Sequence, residues 1–204
     1  MPARPLDALA SRPAIRLLRY LSTHPGGLTG RQLATSAGVH PTRALEALGM
    51  LARLGLVQRR RAGRAYLYAL NDDSYLVTDV IGPAFRNEEQ WLDRLGAELF
   101  STLQPFAHAV VLYGSWARGD AREHSDVDLL VVTVTPDGRE EVERRADEVR
   151  GRLSDRFGRF VSILALTGDE VRRRLRAGDR LMRSVMREGR ALAGRSLAEV
   201  ATGA

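Results

Sequence analysis

Ten residues separate a Gly-Ser pair from an Asp-x-Asp pair, a spacing that confines the C-terminal half of this chain to few folds. Gly114-Ser115-Trp116-Ala117-Arg118-Gly119-Asp120 leaves an apolar stretch, Ala109 to Tyr113. Ser125-Asp126-Val127-Asp128 then opens a second apolar stretch, Leu129 to Val132. Alternate residues of a strand share a face, so Asp126 and Asp128 are expected to point the same way, about 6–7 Å apart along the chain. Paired carboxylates beside a Gly-Ser bend suit a divalent cation carrying nucleotide phosphates, with the bend placed to hold the phosphate end.

The surrounding pattern is that of strands covered on both faces. Ala109–Tyr113, Val127–Val134 and Phe160–Leu166 are continuous apolar runs. Between the second and third, a charged helix from about Arg139 to Phe157 carries Val142, Ala146, Val149, Leu153 and Phe157 on one stripe. Helices from about Asp169 to Leu175 and Arg180 to Glu188 follow. Upstream, Phe85 to Leu103 reads as an amphipathic helix with Trp91, Leu92, Leu95, Leu99 and Phe100 on its apolar side. Asn71–Ser74 and Gly82-Pro83 read as breaks, with Tyr75 to Ile81 left without a defined structure.

The first third has a different rhythm. Pro13 to Leu21 has helical spacing (Ile15, Leu17, Leu18, Leu21) and is closed by His24-Pro25-Gly26-Gly27. Thr29 is placed to cap a short helix through Ser36, and Ala37-Gly38-Val39 makes a tight turn. A second helix starts with Pro41 in its first turn and runs to about Leu54. It is expected to bury Leu45, Leu48 and Leu51 or Ala52, and Gly55 stops it. Leu56 to Arg61, Ala62-Gly63-Arg64 and Ala65 to Leu70 then form a hairpin with a basic tip.

Charge follows the same division. Every one of the 31 basic residues is Arg. Residues 1–73 hold 11 Arg against four acidic residues, and residues 74–204 hold 20 against 21. The excess therefore lies where an electrostatic footprint for nucleic acid is expected, although a solvated basic surface has the same composition. With no Cys, disulfides and thiolate metal sites are excluded. No apolar run approaches a membrane span and the N-terminus lacks a signal-like apolar region, so a cytoplasmic location and no membrane partner are expected.

Helix, short helix, turn, helix and basic hairpin resemble bacterial winged helix-turn-helix regulators over residues 11–72. The likeness implies binding to double-stranded DNA, with the second helix in the major groove presenting Thr42, Arg43, Glu46, Met50 and Arg53. Arg59, Arg60, Arg61 and Arg64 of the hairpin would meet phosphates. A role in protein contact or dimer formation is the alternative for such a module, and a homodimer is expected from the two-fold habit of DNA readers.

The Gly-Ser and Asp-x-Asp pattern resembles the nucleotidyltransferase superfamily of the DNA polymerase beta type, in particular its minimal bacterial and archaeal members. The resemblance implies that Gly114 and Ser115 bind the triphosphate of a nucleoside triphosphate. Asp126 and Asp128 would hold Mg²⁺, making them, with Ser115, the catalytic set. Arg118 would neutralise phosphate charge, or else pair with Asp120 or Glu123 at the surface. The family's third carboxylate falls at Ser162, which binds Mg²⁺ weakly and cannot serve as a base near pH 7. Asp155 and Asp169 are near that strand but out of register. Three readings follow: a nucleotidyl transferase acting on a hydroxyl, a nucleotide-sensing DNA-binding regulator, and an antitoxin-like partner of a toxin.

The expected architecture is α+β: a winged helix-turn-helix over residues 1–73, a helical linker over 74–104, and a nucleotidyltransferase fold over 105–204, with a small mixed sheet flanked by helices.

Overall fold

The computed structural model describes residues 5–202. Its architecture is the expected one: helix-turn-helix first, then a small mixed sheet flanked by helices. The chain separates into two compact units, residues 1–89 and 90–204, with the division falling inside one helix.

In the N-terminal unit, α1 (Arg12–Ser22) is capped by the Ser11 hydroxyl, which accepts from the Ala14 N–H. A two-residue strand, β1 (Leu28–Thr29), leads into α2 (Gly30–Ser36). Thr29 and Gln32 form a reciprocal capping box there, satisfying two backbone donors at once. The tight turn follows, and α3 (Pro41–Arg53) begins with proline in its first turn. β2 (Val57–Ala62) and β3 (Ala65–Leu70) form the hairpin around Gly63-Arg64, and β1 completes a three-stranded sheet in the order β1-β3-β2. Leu17, Leu18, Leu21, Leu33, Leu48, Leu51 and Leu56 are fully buried, each contributing about 1.5–3 kcal/mol by burial.

One expectation fails in this unit. Leu45 is not a core residue of α3 but 54% exposed, and Ala44 takes its place. Ala44, Ala47, Leu48 and Leu51 make the buried stripe, and Leu45 lies about 100° round the helix from Ala44.

Gly82-Pro83 does not interrupt the chain. Leu76–Ile81 forms a π-helical stretch that runs straight into α4 (Gly82–Thr102). Proline lacks an N–H there, and the wide π turn before it, where the Gly82 N–H donates to the Val77 carbonyl, carries the helix past the missing bond.

The C-terminal unit is built on a four-stranded sheet, in the order β6-β5-β4-β7. β4 (Ala107–Tyr113) runs antiparallel to β5 (Val127–Thr133), and β5 parallel to β6 (Val161–Thr167). The short helix α5 (Gly114–Arg118) joins β4 to the β5 approach, and α6 (Pro136–Phe157) makes the β5–β6 crossover. Val110, Leu112, Leu129 and Val131 pack against Leu95, Leu99, Val142, Val149 and Leu153 on one face. Ala109, Val111, Leu130, Val132 and Leu166 pack against α7 (Gly168–Arg176), α8 (Arg180–Glu188) and α9 (Leu197–Thr202) on the other. Burial on both faces explains the unbroken apolar runs.

β7 (Arg190–Gly194) is a strand the sequence pattern does not announce. Its Arg-Ala-Leu-Ala-Gly composition is poor in β-formers, and pairing with β4 makes it a strand. Gly96 of α4 lets that helix lie against it: a Cβ at Gly96 would sit 2.2 Å from the Leu192 Cβ.

Candidate functional site

The bend after β4 and the head of β5 are neighbours by strand pairing. Tyr113 pairs with Asp128 across the β4–β5 ladder, and Asp128 pairs with Ser162 across the β5–β6 ladder. Paired residues face the same side, so Tyr113, Asp128 and Ser162 form a row at the rim of the face carrying Leu130 and Val132. Asp126 lies two residues earlier, just ahead of the ladder, near enough for its charge to act on Asp128.

The bend lies on the carboxylate. Gly114 has φ +74°, and a Cβ there would stand 2.3 Å from Asp128 Oδ2. Only glycine combines that backbone conformation with that approach. Burial, reinforced by the negative charge of Asp126, pushes the Asp128 carboxyl above its ordinary range, while Arg118 pulls the other way. The Tyr113 hydroxyl is also pushed up, by burial and then by Asp128. Asp126, Asp128 and Arg118 therefore share one electrostatic neighbourhood beside the bend.

Arg118 is engaged in its resting arrangement. Its Nε and Nη2 donate to both Asp120 carboxylate oxygens at 3.2 and 3.3 Å. It also reaches Glu188 Oε2 at 3.9 Å, a neighbour some 70 residues away that sequence spacing does not reveal. Hydrogen bonds from Arg187 and Ser184 hold the Glu188 carboxyl below the usual range, and Arg118 adds to this.

Ser162 takes the register position opposite Asp128. Asp169 lies at the far end of the sheet, in the first turn of α7 after β6 ends at Thr167, and Asp155 lies within α6. Among the described residues, no group of three or more His, Cys, Asp or Glu side chains gathers to hold a metal ion. The donor set fits one divalent cation: two carboxylates in one field beside a glycine cradle that a Cβ would fill.

The N-terminal unit presents a second chemistry. Thr42, Arg43, Glu46 and Arg53 are exposed on α3 and Met50 is half-buried. Arg59, Arg60, Arg61 and Arg64 are exposed on the hairpin. Arg59 stacks over Tyr66 at 4.4 Å from the ring centroid. At the start of α3, a hollow of about 240 Å³ is lined by Arg12, Arg16, His40 and Arg43. Sequence reading had passed over Arg12 and Arg16. They lie on α1, and only the fold brings them beside the start of α3.

Comparison with known proteins gives each unit a counterpart. Residues 96–191 match the family model of the nucleotidyltransferase domain, and residues 14–61 match that of the IclR helix-turn-helix domain. Among solved structures, the chain is similar to a toxin-antitoxin crystallised with AMP-PNP, at 16% identity and a TM-score of 0.37, covering 54% of this chain and 82% of that one. It is similar to the homodimeric winged helix-turn-helix DNA-binding domain of Mb0332 from Mycobacterium bovis, at 24% identity and a TM-score of 0.34, covering 44% and 76%. It is also similar to MepR, a transcription regulator of the Staphylococcus aureus multidrug efflux pump MepA, at 22% identity and a TM-score of 0.34, covering 45% and 76%. No curated protein matches the chain. No helix among the described residues is long and apolar enough to cross a membrane. Each unit thus resembles a known domain, the IclR helix-turn-helix domain over residues 14–61 and the nucleotidyltransferase domain over residues 96–191.

Proposed function

We propose that the protein is a DNA-binding regulator whose C-terminal unit binds one Mg²⁺–nucleoside triphosphate. The observation that carries the nucleotide half is the close approach of Gly114 to Asp128, with Asp126 and Arg118 in the same field. Asp126 and Asp128 would hold the cation. The first backbone N–H groups of α5, with the Ser115 hydroxyl, would meet the phosphates, since no side chain caps that helix. When bound, the cation would neutralise the phosphate oxygens and polarise the phosphoryl group. Arg118 would exchange Asp120 for phosphate, a change of partner available to an exposed ion pair.

The DNA half rests on charge and shape. α3 offers exposed polar side chains, with Arg12 and Arg16 beside its start and Arg59, Arg60, Arg61 and Arg64 exposed on the hairpin that follows it. That distribution suits a duplex, whose phosphate rows border the groove a helix enters.

Ser162 argues for binding over turnover. A neutral hydroxyl beside Asp128 supplies neither a second-cation ligand nor a base for an acceptor hydroxyl. The test is calorimetric titration of Mg²⁺–ATP into the full chain, with Asp126→Ala/Asp128→Ala as control. Binding in the micromolar range, lost in the double variant, is expected; equal binding by both overturns the reading. Ser162→Asp adds the third carboxylate, and radiolabel transfer from ATP should rise at least tenfold over the unmodified chain.

A further inference from the structure

Asp126 is exposed and precedes the first bond of its strand, yet the site needs it beside Asp128. We propose that Trp116 and Arg159 act together as positioning residues for Asp126, an inference that rests on reading Asp126 and Asp128 as the cation site. Eight residues, Gly119 to Asp126, connect α5 to β5 without helix or strand. Arg122, Glu123 and His124 in this segment are exposed, as is Asp126 itself.

Three bonds fix the segment where it matters. The Trp116 indole N–H donates to the Ser125 carbonyl at 3.2 Å. The Arg159 guanidinium donates to the Glu123 carbonyl. The Arg122 N–H donates to the Ser125 hydroxyl at 2.8 Å, closing the turn on itself. Immediately after Asp126, the Val127 N–H donates to the Phe160 carbonyl at 2.9 Å. The peptide entering Asp126 is therefore held by Trp116, and the peptide leaving it is held by Phe160. A residue anchored on both sides has little backbone freedom left, so its Cα–Cβ bond keeps one direction.

The anchors are themselves supported. Arg159 follows the C-cap Gly158 of α6 and places its guanidinium 5.7 Å from the Trp116 ring centroid. Trp116 meets Trp91 edge-to-face at 5.0 Å, and Trp91 lies 6.4 Å from Phe157. The indole is thus gripped on its face and its edge, with its N–H aimed at one carbonyl. Edge-to-face packing and a cation over a ring are each favourable geometries for an aromatic at this degree of burial. The turn of α5 puts Trp116 on the α4–α6 side of the sheet, while Asp128 shares the α7–α9 side with Leu130 and Val132.

The test is a double-mutant cycle on the full chain, read by calorimetric titration with Mn²⁺–ATP. Trp116→Phe keeps the ring and deletes the indole N–H. It should weaken Mn²⁺–ATP about fivefold to tenfold, the effect of one net hydrogen bond acting through geometry. In the Asp126→Asn background the same change should have no further effect, because the tether works only through that carboxylate. Arg159→Lys, which keeps the charge but not the fork, should show a smaller loss with the same dependence on Asp126. Wild-type affinity in Trp116→Phe, or a loss that persists undiminished without Asp126, overturns the proposal. No binding by the unmodified chain removes the premise instead, and the inference with it.

Discussion

Like charges gather in two places in this molecule, on opposite terms. On the hairpin, Arg59, Arg60 and Arg61 are exposed along β2, and each leans on a neutral group: the Tyr66 ring, the Gly26 carbonyl and the Gly63 carbonyl. Water screens them, and repulsion between such charges is about 1 kcal/mol or less. At the head of β5, Asp126 and Asp128 meet beside a half-buried row, and the Asp128 carboxyl is raised in consequence. A surface that attracts a polyanion can sum dispersed charges without precise geometry. A site for one cation must concentrate charge of one sign, at a standing cost to the fold until the cation arrives.

The strongest challenge to this contrast is Gly114→Ala. A positive φ strains any other residue by about 1–2 kcal/mol, and a Cβ 2.3 Å from Asp128 Oδ2 adds overpacking of about 1–3 kcal/mol. Chemical denaturation should show a loss of at least ~2 kcal/mol, together with loss of nucleotide binding. Replacing Arg59, Arg60 and Arg61 with Ala should do the reverse. Duplex DNA binding should fall about 10–100-fold at moderate salt and the log–log salt slope should shrink by about 2–3, with melting unchanged. A stability loss in this variant as large as that of Gly114→Ala would erase the distinction between the two regions.

Asp128→Asn sharpens the contrast in a third way. Because the folded state binds that proton more tightly than the unfolded state, this group's contribution to stability is fully present at low pH. It falls as pH rises from the ordinary carboxylate value through the raised one. Removing the charge should abolish that decline, so metal-free melts at neutral pH should show a gain below ~1 kcal/mol alongside lost binding. The smallest effect is expected at the opposite end of the sheet. Glu170 caps α7 through the Thr167 N–H and pairs with Arg139 at 2.6 Å, and the Thr167 hydrogen bond leads in holding its carboxyl low. Its contribution is present above the ordinary carboxylate value and is lost as pH falls through the lowered one. Glu170→Gln keeps a capping side chain and loses only charge, so acid titration should show a loss below ~1 kcal/mol.

The carboxylate corner was legible because its chemistry is local. Gly114, Ser115, Asp126 and Asp128 fall within 15 residues, and apolar runs on either side announce strands. Ser162 was marked only by the family likeness, which sets a third carboxylate on the third strand, and the β5–β6 ladder puts it opposite Asp128. What escaped was set by tertiary context. Leu45 looks like a core position by type, but the phase of α3 is fixed by Ala44 and Ala47, which small side chains mark only weakly. Pro83 reads as a breaker, and the π turn that carries the helix past it leaves no mark in the spacing. β1 is too short for any periodicity, and β7 is a strand only because β4 offers it an edge. Glu188, Arg12 and Arg16 reach their places through folding, and no spacing rule connects them to the residues they join.

The hairpin's reliance on arginine has a further consequence. The chain contains no lysine, so none of the cations around α3 bears an amine that acylation could neutralise. Guanidinium groups stay charged at every pH a cell reaches. Its attraction for a polyanion is therefore a permanent property of the surface. Neither a change of pH nor lysine acylation can switch it off.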